Sequence, residues 1–226
     1  SCDEGSTGCP GKFIEQWDAR RSSNQVDPDL SAYFGIENMT GIDPGMKPVR
    51  SGEYSFGLQH ELNPTMSLEV RYVHKWLDRT IEDVGLLLPG IGEIYIIANP
   101  GFGYTEIMNP SYPNYPTPKA TREYDAVELR LRKRFAKSWS FEADYTYSQL
   151  WGNYGGLASS DENGRTSPNV NRYFDNLYMS YDQNNQAVYG LLPTDRPHVV
   201  KAQGTYDFNF GLSLGAFAII QSGLPQ

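Results

Sequence analysis

The 226-residue chain is 39% hydrophobic, enough to bury the core of one or two domains. Its formal net charge of −8 and pI near 4.9 exclude a sequence-independent nucleic-acid binder, whose partner is a polyanion. Mean hydropathy is −0.54, and no apolar run reaches the roughly eighteen residues of a helical membrane span. A membrane-crossing strand passes that filter, because it needs only about ten residues of alternating character.

Cys2 and Cys9 bracket the glycine-bearing run CDEGSTGC, which suits either a disulfide in an oxidising compartment or two free loop thiols. Two cysteines alone fall short of the four ligands of a structural zinc site. Six segments then alternate with period two, each with one apolar and one polar face. The predicted strands lie near 53–62, 66–78, 124–135, 139–151, 197–208 and 211–222. In the first pair Tyr54, Phe56 and Leu58 oppose Glu53, Gln59 and Glu61. After Asn63-Pro64-Thr65, Met66, Leu68, Val70 and Tyr72 oppose Ser67, Glu69 and Arg71. The second pair sets Val127, Leu129 and Leu131 against Glu128, Arg130 and Arg132. It turns near Ala136-Lys137-Ser138 and returns with Phe141, Ala143 and Tyr145 against Glu142, Asp144 and Thr146. The third opposes Val200, Ala202 and Tyr206 to Lys201, Gln203 and Thr205, with Gly211 free to take a left-handed turn conformation.

Between the hairpins run long connections, about Arg79 to Glu123 and Gly152 to Arg196, rich in Pro, Asn, Gly and Tyr. The expected fold is all-β, an antiparallel meander of about six strands. Short turns alternating with long loops point to an outer-membrane β-barrel with periplasmic turns and extracellular loops. A soluble β-sandwich shares the alternation and competes with this reading. Aromatic clustering favours the barrel: Phe135, Trp139, Phe208 and Phe210 gather at the turns, and Tyr72, Trp76, Tyr147 and Trp151 at the other strand ends, as interfacial girdles do. The register then follows from charge. With Leu131 opposite Ala143, Arg130 meets Asp144 and Arg132 meets Glu142, each pair worth roughly 0.2–1 kcal/mol. A one-residue slip turns these charges towards lipid, at roughly 2–4 kcal/mol per Arg or Lys near the midplane. The expected lumen-facing charges are Glu69, Arg71, Glu128, Arg130, Arg132, Glu142, Asp144 and Lys201.

The segment DPGMKPVRSGEYSFGLQHEL (43–62) resembles the start of the barrel in TonB-dependent receptors, where Asp-Pro and Lys-Pro precede a strand reading Tyr-x-x-Gly-Leu. With LEVRYVHKWLDRTIEDVG (68–85), the run from Tyr124 to Asp175 and LPTDRPHVVKAQGTYDF (192–208), the chain is similar to the Oar-like branch of that family. The resemblance implies active uptake of a large substrate across the outer membrane, driven by TonB with ExbB and ExbD. Neither a plug nor a TonB-box pattern is found in these residues. The start on Ser1 and the close in a strand-like run suggest an internal stretch of a longer chain. Residues 1–50 are expected to be an extracellular loop leading into a partial barrel over 51–226.

Catalysis finds no support, since His60, His74 and His198 are scattered and no nucleophile or zincin motif accompanies them; no cofactor is implied. Asp161 and Asn163 offer oxygen ligands beside Gly164, weakly suggesting calcium against a plain hydrated turn. Tyr95, Tyr104, Tyr112 and Tyr115 in the first loop, and Asn169, Asn171, Arg172, Tyr173, Asp175 and Tyr178 in the second, suit recognition of a glycan or peptide. Packing of the loops upon themselves suits the same residues.

Overall fold

A computed structural model of the chain describes residues 41–88, 92–103, 105, 117–156, 174, 180–184 and 186–225. Cys2, Cys9, Asp161 and Asn163 lie outside the described residues. Strands β1 (Arg50–Asn63) and β2 (Met66–Arg79) form the first hairpin, followed by β3 (Glu82–Leu88) and β4 (Gly92–Ala98). Then come β5 (Arg122–Ala136), β6 (Trp139–Gly152), the two-residue β7 (Gly190–Leu191), β8 (His198–Asp207) and β9 (Ser213–Gln221). The main sheet runs β1-β2-β5-β6-β8-β9, antiparallel throughout, with β7 extending the β6 edge.

Strands β3 and β4 pair with each other as a two-stranded sheet inside the first long connection, apart from the main sheet, and Ile97 of β4 also makes a single parallel bridge to Ile42. The residue pattern of that connection predicts loop throughout. A continuous apolar run such as Ile94-Tyr95-Ile96-Ile97-Ala98 lacks the period-two alternation that marks the other strands.

The second hairpin has the register expected from charge: Leu131 faces Ala143, Arg130 faces Asp144 and Arg132 faces Glu142. Turn chemistry is local. Asn63 Oδ1 accepts from the Thr65 backbone amide at 3.0 Å and the Thr65 hydroxyl at 2.9 Å, holding a two-residue turn. Lys137 and Ser138 both have positive φ, 54° and 70°, the twist a two-residue hairpin demands even without Asn-Gly. Gly211, at φ 90°, supplies the left-handed residue of the β8–β9 turn.

The two faces of the main sheet differ in an unusual sense. Phe56, Leu58, Leu214 and Ile220 are 60–81% exposed, so the apolar face lies open and no second layer among the described residues covers it. Apart from Lys133 at the turn end, burial on the main sheet occurs instead on the polar face at the loop end. Val73, Ala126 and Ser148 form one row across β2, β5 and β6, on the side that carries Arg71, Glu128 and Thr146, and all are buried. Apart from Asp43 before β1, the buried side chains off the main sheet, among them Val84, Ile96, Tyr154, Phe174 and Leu192, belong to the two long connections. A sandwich buries its apolar face and wets its charged one; this sheet does the reverse.

Candidate functional site

The ionic face is a ladder built by register. On one row Gln59, Glu69, Arg130, Asp144 and Lys201 stand side by side across five strands, and on the next Gly57, Arg71, Glu128 and Thr146 do so across four. Arg71 Nε donates to Glu128 at 2.8 Å, and Arg130 Nε donates to Asp144 Oδ1. Arg130 also stands 3.9 Å from both Glu69 and Glu142, and Arg132 lies 3.7 Å from Glu142. Lys75 with Glu53 at 3.0 Å and Arg134 with Glu61 at 3.5 Å extend the network beyond the eight charges expected to face the lumen. Each pair is solvent-accessible and contributes little alone. A double-mutant cycle on Arg130→Ala and Asp144→Ala should give a coupling of about 0.2–1 kcal/mol in denaturant titrations. Zero coupling would separate the register from its electrostatic cause.

On the opposite face, polar groups occur near the strand ends. Asp125 Oδ1 accepts from the Tyr72 hydroxyl and stands 2.8 Å from His74 Nδ1. Tyr54 and Trp76 lie against the His74 ring, with centroids 4.9 and 5.6 Å away. His198 Nδ1 meets the Tyr145 hydroxyl at 2.9 Å. These two histidines therefore have separate polar partners, while His60 pairs across the ladder with Leu68. At the turn end Lys133 shares the parity of Leu129 and Leu131. Its ammonium folds back to donate to the carbonyls of Ala136 (2.7 Å) and Trp139 (2.8 Å), over the Trp139 ring at 3.9 Å. A cation on this face thus reaches polar atoms while its stem stays among apolar ones.

The loop end is tied down by residues the sequence reading did not single out. Buried Asn99 donates from Nδ2 to the carbonyls of Lys47 (2.9 Å) and Thr80 (2.6 Å) and accepts from the Lys47 amide at 2.7 Å. Backbone bonds from Asp43 to Ile97 and from Ile97 to Gly41 lash the same hairpin to the segment before β1. Buried Asp195 accepts from the Leu150 amide at 2.7 Å, clasping the second connection to β6. Burial pushes the Tyr154 phenol above its ordinary value, and the neighbouring Glu82 carboxylate adds to it. The Asn99-Pro100-Gly101 and Thr194-Asp195-Arg196-Pro197 strings have the composition of turns. Nothing local in them says which distant amide or carbonyl the side chain will reach.

In the second connection Asp182 Oδ1 accepts from the amides of Asn184 (2.8 Å) and Gln186 (2.9 Å). These bonds, that from Gln186 first, hold its carboxyl below the usual range. A pKa lowered by folding means that the carboxylate supports the turn at neutral pH and loses that role as pH falls through the folded value. After correction for intrinsic rates, amide exchange at Asn184 and Gln186 should accelerate below that pH in the native chain and be insensitive to it in Asp182→Ala.

Of the residues expected to face a substrate, Tyr95 is placed, half-buried in β4 opposite Gly85. Tyr104, Tyr112, Tyr115, Asn169, Asn171, Arg172, Tyr173, Asp175 and Tyr178 lie outside the described residues.

Comparison with known proteins accords with this geometry. Residues 10–218 match the family profile described as outer membrane beta barrel domain. Over 182 residues the chain is 34% identical to the TonB-dependent transporter Oar of Myxococcus xanthus, a match that covers 80% of this chain and 16% of that protein. The chain thus spans about one sixth of the length of the curated relative it matches. No solved structure matches it. An antiparallel sheet with its apolar face bare and its ionic face turned the other way is what a wall between lipid and an aqueous interior requires. The chain belongs to the outer membrane beta barrel domain family, as an Oar-like piece of barrel located in the bacterial outer membrane.

Proposed function

We propose that this chain supplies part of the wall and the extracellular loops of a TonB-dependent transporter that actively takes up a large substrate. The observation that carries the reading is the exposed apolar face set against an ionic face whose loop end alone is covered. The apolar side meets outer-membrane lipid, and Glu69, Arg71, Glu128, Arg130, Arg132, Glu142, Asp144 and Lys201 border the lumen. Residues 1–50 form an extracellular approach to the barrel segment at 51–226. The tyrosine-rich connections stand at the outer mouth, where rings and amides suit a glycan or peptide. Coupling to TonB, ExbB and ExbD runs through regions outside this chain. The role is binding and passage, with no catalytic group and no cofactor.

A passive porin shares the wall but not the energy coupling. Planar-bilayer recording on the full-length protein separates the two. A plugged, TonB-coupled barrel stays closed to ions, whereas steady conductance from the untreated protein would assign it to passive diffusion. A soluble adhesion module would not insert at all.

A further inference from the structure

On the apolar face of β6, β8 and β9, side-chain size changes abruptly from row to row. Tyr145, Val200 and Ile220 form one row of bulky groups, and Trp139, Tyr206 and Leu214 form another nearer the turns. Between them the cross-strand partners are Ala143–Ala202–Ala218 and Phe141–Gly204–Ala216, so five of six positions carry a methyl group or a lone hydrogen. The result is a trench of about 510 Å³. Gly204 is integral to it: a β-carbon there would stand 3.1 Å from the Ser140 carbonyl and 3.6 Å from the Phe141 ring.

We propose that this trench seats one acyl chain of an anionic phospholipid, with its headgroup at the turn end beside Lys137. The inference rests on the outward reading of the apolar face, which the mostly apolar trench continues. An apolar hollow of this size left empty forfeits dispersion contacts on every wall, and a flexible hydrocarbon tail restores them. The trench ends at Trp139 and Tyr206, amphipathic rings of the kind that sit at headgroup level. Lys133 is already committed to the Ala136 and Trp139 carbonyls, so it is poorly placed to meet a phosphate. Lys137 is exposed in the neighbouring turn and has no ion-pair partner among the described residues, leaving its charge available to the headgroup.

The experiment uses the full-length protein with Trp139 as its only tryptophan, inserted in phosphatidylcholine vesicles containing a rising fraction of dibrominated phosphatidylglycerol. A seated chain brings bromine to Trp139 at low mole fraction. Half-maximal quenching should come at about tenfold less brominated lipid than in Ala218→Phe, which fills the trench, a difference equivalent to about 1.4 kcal/mol. Ala216→Leu should behave likewise if the first variant inserts poorly, and Lys137→Gln should remove the preference for phosphatidylglycerol over brominated phosphatidylcholine. Quenching that tracks bulk composition equally in all variants overturns the seat but leaves the outward face intact. Absence of quenching even in fully brominated bilayers overturns both. Protection of Trp139 that grows with protein-to-lipid ratio would give the trench to a second copy of the protein and overturn the lipid assignment.

Discussion

Leu129→Arg should lower the unfolding free energy of the membrane-inserted, full-length protein by about 2–4 kcal/mol, measured by denaturant titration from vesicles. Leu129 lies midway along β5, between Val70 and Tyr145 on the open apolar face. At that height an arginine has neither water nor the turn carbonyls that Lys133 reaches at the strand end. The control sits almost beside it. Thr146 pairs with Glu128 on the ionic face, so Thr146→Arg brings the same side chain next to a carboxylate and should change stability little. The contrast tests sidedness rather than bulk. If Thr146→Arg proved the damaging change and Leu129→Arg the tolerated one, the faces would be inverted and the lipid contact with them.

Asn99→Ala should loosen the β3–β4 hairpin without loosening the barrel. Its amide closes three bonds at once, and removing it leaves the Thr80 carbonyl and the Lys47 amide and carbonyl without that partner. A buried polar group left unsatisfied costs about 1–3 kcal/mol. Hydrogen exchange reads this directly: the Lys47 and Ile97 amides should lose protection, while Leu129 and Ala143 keep theirs through the main ladder. Asn99→Asp should not rescue the hairpin, since it keeps the acceptor for the Lys47 amide but sets carboxylate oxygen against two carbonyls. Uniform loss of protection across both sheets would instead make Asn99 part of the barrel's own stability, not a latch on its loops.

What the sequence determined by itself was the main sheet, because alternation of period two, short polar turns and matched charges are all local or pairwise signals. Arg130 beside Asp144 and Arg132 beside Glu142 allow one register for the second hairpin, and a slip by one residue reverses both faces. The eight ionic residues could be assigned a common side for the same reason. Only the tertiary structure decided the rest. The β3–β4 hairpin is apolar without alternation, and it forms as a separate pair tied to the segment before β1. Asn99 and Asp195 look like ordinary turn residues until the fold brings Thr80, Lys47 and Leu150 within reach. The trench likewise joins alanines and a glycine from three strands, unremarkable singly, into a hollow through register alone. Periodicity tells a strand which way its side chains alternate; which of its two faces meets lipid depends on what the remainder of the chain covers, and that is a property of the assembled structure.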